Sequence, residues 1–196
     1  MCQRELIPNF HSIKKEKFNG TYTFNTFIKR LYMTIVIDSR EKQKAITKII
    51  AEFDGQGIKH FSSKLWVGDY MSLDNPKVIV DRKQNLSEIC SNVCQDHDRF
   101  RRELTRAQEA GIKIIILIEH GKDITCLEDI IFWENPRGIV RKKVNGKWQT
   151  LKTKATTGET LYKILTTLQE KYGCEFQFCT KEETGKRILE ILSNDT

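Results

Sequence analysis

The sequence lacks a long apolar run, which excludes a protein built on membrane-spanning helices. No stretch of its 196 residues approaches the roughly 18 apolar residues that a membrane span needs. The N-terminus also lacks the apolar core of a secretory signal. We therefore expect a cytoplasmic location and no membrane partner. The six cysteines should then stay reduced, because a reducing compartment disfavours disulfides.

Internal repeats and low-complexity segments are absent as well, and the composition is that of an ordinary soluble domain. Hydrophobic residues make up 39% of the chain and charged residues 30%. The formal net charge of +7 permits a polyanionic partner such as nucleic acid but does not prove one. Residues 1–32 alone hold six Lys/Arg against two Glu. We interpret them as a basic N-terminal arm or a misassigned start, because Met33 directly precedes the first convincing strand.

The pattern from residue 33 onward predicts an α/β domain with a mixed central sheet flanked by helices. TIVID (34–38) indicates a buried strand, and apolar residues then recur at helical spacing until Gly55. A long helix is predicted over 86–110, and the apolar run IKIIILI (112–118) indicates a strand covered on both faces. Between the first helix and the long one, an antiparallel meander is predicted with strands at 58–61, 64–67, 70–73 and 77–81.

The last third predicts a basic hairpin followed by further α/β structure. Residues 137–154 contain seven Lys/Arg and no acid, and Asn145-Gly146 at their centre is a strong hairpin signal. A helix is predicted over 158–172, a strand over 174–179 and a final capped helix after it. We expect residues 122–196 to form an extension that packs on a core of residues 33–121.

One predicted buried strand ends in consecutive charges, VIVDRK (78–83). Because side chains alternate along a strand, Asp81 and Lys83 point to one side and the arginine between them to the other. Asp69, on the neighbouring glycine turn, can add a second carboxylate at the same sheet edge. This layout suits a metal-dependent phosphodiesterase, in which carboxylate oxygens hold Mg²⁺ and a lysine offsets developing charge.

Other charged residues can join this edge. TIVID ends at Asp38 and the chain continues to Glu41, which can bring a further carboxylate pair to the sheet edge. The long helix after Lys83 also carries arginines that suit phosphate groups. These arginines are Arg99, Arg101, Arg102 and Arg106.

The same residues allow plainer interpretations, which the sequence leaves open. Charges are common at solvated strand ends, Asp38 can cap the following helix, and Glu41 can be a first-turn carboxylate. The arginines can line a solvated helix face with local glutamate partners. The face that holds Cys90, Cys94 and His97 imitates a metal site, but the apolar residues on it favour a core interpretation.

Five segments, in this order and spacing, resemble the XPF-type (ERCC4-like) nuclease domain. They are IVIDSRE (35–41), GDY (68–70), VIVDRK (78–83), DRFRRE (98–103) and IIILIE (114–119). The resemblance implies a restriction-endonuclease-like fold and cleavage of DNA with Mg²⁺ or Mn²⁺. The usual substrates would be flaps, forks or other branched structures in replication, recombination or repair. With FWENPRG (132–138) and TTGETLYKIL (156–165), the whole chain looks most like compact phage and prophage members, which implies a bacterial host cell.

The resemblance also implies roles for individual residues. The matching catalytic positions are Asp38, Glu41, Asp69, Asp81, Arg82 and Lys83, and the metal ligands among them are Glu41, Asp69 and Asp81. We expect DNA contacts from Arg40, Arg99, Arg102 and Arg106, and from Arg141, Lys142, Lys143 and Lys147 of the basic hairpin. Two positions depart from the family: Asp81 replaces the usual Glu, and Ser87, with Glu88 beside it, stands where an Asp is usual. The tandem helix-hairpin-helix module of larger relatives is not recognisable.

Three functions from different classes remain open. The first is a metal-dependent endonuclease that acts on branched or flap DNA. The second is a non-catalytic DNA-binding module of the same fold, at which Ser87 hints. The third is a nuclease subunit that works only as a homodimer or with a partner protein, since this fold often pairs with another chain. The intact Asp69, Asp81 and Lys83 favour catalysis.

Overall fold

A six-stranded mixed sheet forms the centre of the computed structural model, which describes residues 33–121 and 123–193. The strands described are β1 (Thr34–Asp38), β2 (Lys59–Ser63), β3 (Tyr70–Ser72), β4 (Val78–Lys83), β5 (Lys113–Glu119), β6 (Ile139–Val144), β7 (Lys147–Lys152) and β8 (Glu175–Cys179). The order in the sheet is β2-β1-β3-β4-β5-β8, and β6 and β7 form a separate hairpin. Within the sheet only β3 runs against the other strands, because it pairs in antiparallel register with both β1 and β4.

Helices cover both faces of this sheet. They are α1 (Gln43–Gly55), α2 (Leu86–Cys94), α3 (His97–Glu109), α4 (Gly158–Tyr172) and α5 (Thr184–Ser193), with short 3-10 turns at Glu128–Phe132 and Pro136–Gly138. Strand β5 shows how the two layers arise from side-chain alternation. Ile114, Ile116 and Ile118 pack with α2, α3 and α4, whereas Ile115 and Leu117 pack with α1 and α5. The expected α/β class, with a mixed sheet flanked by helices, is confirmed.

The strand predicted at residues 64–67 is wrong. These residues form a loop in which Leu65 and Val67 are buried and Trp66 is exposed. This alternation imitates a strand, but the N–H of Leu65 donates to the side chain of Asp38 at 2.7 Å and not to a neighbouring strand. The predicted meander is wrong for β2 as well. Helix α1 is a crossover connection, so β2 lies parallel to β1, and only β3 and β4 form an antiparallel hairpin.

The single helix predicted over residues 86–110 is also wrong, because the chain forms two helices there. The N–H groups of Gln95 and Asp96 both donate to the C=O of Ser91, and a new helix begins at His97. Residues 95–98 are polar and offer nothing to bury, so packing does not hold the helix together at this point.

The C-terminal elements agree with the sequence pattern. Asn145 (φ 48°) and Gly146 (φ 80°) both adopt the left-handed conformation that a two-residue hairpin turn requires. Strand β8 pairs with β5, and α5 packs against α1, so both belong to the layers described above. The division of the chain at residue 121 stays a prediction, and residues 1–32 lie outside the described part.

Two expectations from composition concern membranes and thiols. Over the described residues, no helix is long and apolar enough to cross a membrane. The cysteines at positions 90, 94, 126, 174 and 179 are free thiols.

Candidate active site

The sheet topology brings charged residues together at one edge. Strands β1, β4 and β5 run in the same direction, so their last residues, Asp38, Lys83 and Glu119, lie at the same edge. Asp69 directly precedes β3, which runs the opposite way, and it therefore lies at this edge as well. The backbone fixes it there: the N–H of Asp69 donates to Val80 C=O at 2.8 Å, and its C=O accepts from Asp38 N–H at 2.8 Å.

A glycine makes the close approach of Asp69 possible. Gly68 has φ +62°, and a Cβ there would lie 2.4 Å from the side chain of Ile79. Both facts disfavour any larger residue. The N–H of Gly68 donates to the carboxylate of Glu103 on α3 at 3.0 Å, which ties the turn to the helix layer.

Asp81 and Lys83 form a buried ion pair on one face of β4. The Nζ atom of Lys83 lies 2.7 Å from each carboxylate oxygen of Asp81, but only Oδ1 accepts a well-formed hydrogen bond. The other oxygen, Oδ2, is buried and has no hydrogen-bond partner among the described residues. Asp81 Oδ2 thus lies in ion-pair contact with the Lys83 ammonium but accepts no directed hydrogen bond from the described residues.

Lys83 is charged in this setting. Burial lowers its pKa, but the carboxylates of Asp81 and Asp69 raise it, and the pKa of Lys83 lies above its ordinary value. The ammonium also lies 5.7 Å from the centre of the Phe100 ring. A protonated lysine cannot accept a proton. It can stabilise negative charge or donate a proton.

Asp69 completes this cluster. Burial raises its pKa, and repulsion from Asp81 adds to the rise, so the pKa of Asp69 lies well above its ordinary range despite the opposing effect of Lys83. Its Oδ2 accepts a hydrogen bond from the backbone N–H of Arg82 at 2.8 Å. Two carboxylates that repel each other in this way are stabilised as anions by a cation.

Asp69 and Asp81 fit a divalent cation. The Oδ2 of Asp81, which accepts no hydrogen bond, and the raised pKa of Asp69 both indicate a place for positive charge. Within 33–121 and 123–193, no group of three or more His, Cys, Asp and Glu residues could hold a metal ion. Two carboxylates suffice for Mg²⁺, which usually completes its shell with waters and substrate phosphate oxygens.

Glu41 and Arg82 lie in a second, buried network on the opposite face of β4. Arg82 donates from Nη2 and Nε to Glu41 Oε2 at 3.0 and 3.3 Å, and from Nη1 to Glu119 Oε1 at 2.7 Å. The hydroxyls of Tyr70 and Thr184 donate to the same two glutamates. The Arg82 side chain is only 2% exposed. Burial lowers the pKa of Arg82, but its neighbours Tyr70, Glu41 and Glu119 raise it above the ordinary value.

Asp38 is paired with Arg40 and with the backbone. Arg40 donates to both carboxylate oxygens of Asp38 at 2.7 and 2.9 Å, and the N–H of Leu65 donates to Oδ2 at 2.7 Å. Burial raises the pKa of Asp38, but these hydrogen bonds lower it below its ordinary value. Asp38 therefore anchors the 64–69 loop that carries Asp69, and its carboxylate is bonded to Arg40 and Leu65 and not to the Asp81–Lys83 pair.

The arginines expected to contact DNA lie beside the cluster on α3. Arg99, Arg102 and Arg106 recur at a spacing that places them on one side of the helix, next to Glu103 and its bond to Gly68. Arg99 and Arg102 are exposed. The Nε of Arg106 is buried and finds no hydrogen-bond partner in the part of the chain that the structure describes.

The second set of expected DNA contacts is the hairpin cations, which we define as Arg141, Lys142, Lys143 and Lys147. All four are exposed on β6 and β7. In the described residues these two strands pair only with each other. Their positive charge therefore faces solvent, where a polyanion can reach it.

Sequence reasoning missed two glutamates at the site. Glu119 ends a buried strand in a charge, which is the signal that had identified Asp81, and Glu103 lies in the DRFRRE segment. Glu88, beside the unusual Ser87, has a different task. It accepts the N–H of Gln84 at 2.9 Å while Asn85 caps the start of α2.

Fold and site together define an α/β domain with a carboxylate-lysine centre at one sheet edge. Residues 37–192 match the ERCC4 domain family. The chain belongs to this family of XPF-type nuclease domains, and the resemblance carried by the five sequence segments is confirmed. No curated protein is similar enough to count as a match.

Solved structures show the same fold. The chain is similar to XPF from Aeropyrum pernix, with a TM-score of 0.54 and 19% identity, and to the same protein in complex with DNA, with a TM-score of 0.53 and 18% identity. Both comparisons cover 81% of this chain but only 63% and 62% of the solved chains, so this protein spans less than two thirds of their length. The restriction-endonuclease-like fold is confirmed.

Proposed function

We propose that the protein is a metal-dependent endonuclease that hydrolyses phosphodiester bonds in branched or flap DNA during replication, recombination or repair. The observation that carries the proposal is the buried Asp81–Lys83 pair, which interacts electrostatically with Asp69 and has one carboxylate oxygen without a hydrogen bond. Membership of the ERCC4 domain family supports it. The similarity to an XPF structure in complex with DNA supports DNA as the partner.

Asp69 and Asp81 are the residues that would hold Mg²⁺ or Mn²⁺. When bound there, the ion would polarise a phosphoryl oxygen and lower the pKa of a bound water. Lys83 supplies a fixed positive charge that stabilises negative charge developing on the phosphate. Because Asp81 and Lys83 are buried, water screens this charge less than it would at an exposed site.

In this proposal, the other predicted catalytic residues hold Asp69, Asp81 and Lys83 in position. Arg82 and Glu41 hold the end of β4 in place from the opposite face of the sheet. Asp38 and Arg40 hold the loop before Asp69. The proposal assigns the metal to Asp69 and Asp81, with Glu41 as a neighbour that tunes the charge around Asp69.

DNA would follow the two basic surfaces. The arginines on α3 lie next to the cluster and can contact the phosphates closest to the scissile bond, and the hairpin cations can contact phosphates further along. DNA cleavage would take place in the cytoplasm of a bacterial host. A homodimer or a partner protein would add further DNA contacts.

A cleavage assay with a panel of DNAs tests the proposal. Wild-type protein would be incubated with flap, fork, four-way-junction, linear duplex and single-stranded DNA in EDTA, Mg²⁺, Mn²⁺ or Ca²⁺. We expect cleavage in Mg²⁺ or Mn²⁺, strongest on branched substrates, and none in EDTA.

Two variants assign the activity to the site. Asp69→Asn and Asp81→Asn should each abolish cleavage while retaining much of the DNA affinity, because each removes an anionic oxygen from the ion. Asp74→Asn, an exposed aspartate beyond the other end of β3, is the matched control and should cleave normally. Wild-type turnover by either site variant would contradict the proposal.

A further inference from the structure

Trp66 is the exposed member of a loop that is otherwise held in place. Its side chain is 63% exposed, whereas Leu65 and Val67 on either side are buried. Exposure of a single apolar residue is common and needs no explanation by itself. The position of this tryptophan within the site carries the inference.

Hydrogen bonds fix the loop on both sides of Trp66. Before it, the N–H of Leu65 donates to Asp38 at 2.7 Å, and the C=O of Leu65 accepts from Arg40 at 3.2 Å. After it, the N–H of Gly68 donates to Glu103 at 3.0 Å. The backbone that carries the indole is therefore fixed by the same residues that position Asp69.

A cation is bonded to the backbone of the loop next to Trp66. The Arg40 side chain is 62% exposed although its guanidinium is bonded to Asp38 and to the carbonyl next to Trp66. An exposed aromatic face next to an exposed guanidinium is the combination that binds single-stranded nucleic acid: the ring stacks on a base, and the cation contacts the backbone. Trp66 lies three residues before Asp69, so such a base would be close to the reacting phosphate.

We propose that Trp66 stacks on an unpaired nucleobase next to the scissile phosphate. The proposal rests on the proposed nuclease function and names its substrate class. Inside an intact duplex the base faces are covered by neighbouring pairs, so the indole can stack only where a base is unpaired. The site then selects DNA that has a single-stranded arm or an opened base pair at the cleavage point.

A binding experiment in EDTA tests the stacking without cleavage. Anisotropy would report the affinity for a labelled single strand, a fork and a blunt duplex, and 2-aminopurine in the single-stranded arm would report stacking through quenching. Loss of one aromatic stacking partner usually weakens binding by about 5- to 150-fold. We expect Trp66→Ala to weaken the single strand and fork by this factor, to remove the quenching and to change duplex affinity by less than about twofold. Trp66→Phe should restore most of the binding, because it retains an aromatic face.

Leu73→Ala is the matched control, since Leu73 is 51% exposed but follows the far end of β3. It should behave as wild type. The proposal would be overturned if Trp66→Ala lost equal affinity for duplex and fork, or lost affinity for neither. A change confined to self-association of the protein would also overturn it. Binding in EDTA is measured without cleavage, so this outcome is distinguishable from failure of the nuclease assignment, which fails if the wild-type protein does not cleave DNA or if Asp69→Asn or Asp81→Asn cleaves normally.

Discussion

Arg82 is predicted to stabilise the fold from within the sheet. Replacing it tests how much its buried ion pairs contribute to the stability of the protein. Arg82→Ala removes three hydrogen bonds, two to Glu41 and one to Glu119, and leaves both carboxylates without their cation. Glu119 is 4% exposed and cannot turn to water. One hydroxyl donor remains to each glutamate, from Tyr70 and Thr184.

The expected loss is large compared with the stability of a domain. Removing one partner of a buried ion pair costs about 3–5 kcal/mol, because an uncompensated charge stays in the interior. The cost should not double for two glutamates, since Glu41 is partly exposed and a carboxylate can take up a proton. A domain is typically stable by about 5–15 kcal/mol, so Arg82→Ala should lose a substantial part of the total.

Urea unfolding followed by circular dichroism measures this loss. Arg99→Ala, which changes an exposed arginine on α3, is the control and should stay within about 0.5 kcal/mol of wild type. If Arg82→Ala does not fold, the loss of stability can be measured with Arg82→Lys and Glu119→Gln instead. Each of these variants weakens the network without removing a partner. The double variant should be non-additive by about 0.5–3 kcal/mol, as expected for residues in contact.

Two results would refute this reasoning. A loss below about 1 kcal/mol for Arg82→Ala would show that the network adds little to stability. Normal stability together with abolished cleavage would show that Arg82 acts on the substrate, as the family resemblance implies, and not through the position of β4.

Three further predictions concern the reaction and the DNA grip. Lys83→Ala should slow single-turnover cleavage by about 10²- to 10⁴-fold at normal folding, and a smaller effect would argue against an electrostatic role. Ser87→Asp should change the rate by less than about tenfold, because Ser87 lies in the first turn of α2 and the described cluster is complete without it; a larger gain would mark this protein as a weakened nuclease. Replacing the hairpin cations with alanine should flatten a plot of log affinity against log salt by about 0.9 for each duplex phosphate that the variant no longer neutralises, and an unchanged slope would assign the hairpin to protein contact.

The cluster of Asp69, Asp81 and Lys83 could be predicted because the signals for it lie within short segments of the sequence. A buried strand that ends in charges and a glycine turn that ends in an aspartate are both visible in the sequence. Side-chain alternation then puts Asp81 and Lys83 on one face and Arg82 on the other. The structure shows this separation, since Lys83 lies near Phe100 of α3 while Arg82 contacts Glu119.

The partner of each remaining charge could not be predicted. Asp38 and Glu41 are three residues apart, yet one is bonded to Arg40 and the other to Arg82. Arg82 also contacts Glu119, which joins the network only when β5 pairs with β4. The break at residues 95–96 within the long predicted helix was not predicted for a related reason, because a helix break depends on what the next turn can pack against.

The dependence of the site on distant elements bears on the predicted boundary at residue 121. Thr184 of α5 donates to Glu119 at 3.1 Å, and β8 covers the edge of β5. A fragment of residues 33–121 would lose both, and Ile115 and Leu117 would lose their packing against α5. Exposed strand edges with apolar faces pair with other chains, so we expect this fragment to aggregate or to unfold without a cooperative transition. Size-exclusion chromatography and thermal unfolding would show this, with the chain of residues 33–196 as the control. A monomeric fragment that unfolds cooperatively would instead make residue 121 a true domain boundary, and the Thr184–Glu119 contact would then be dispensable for the site.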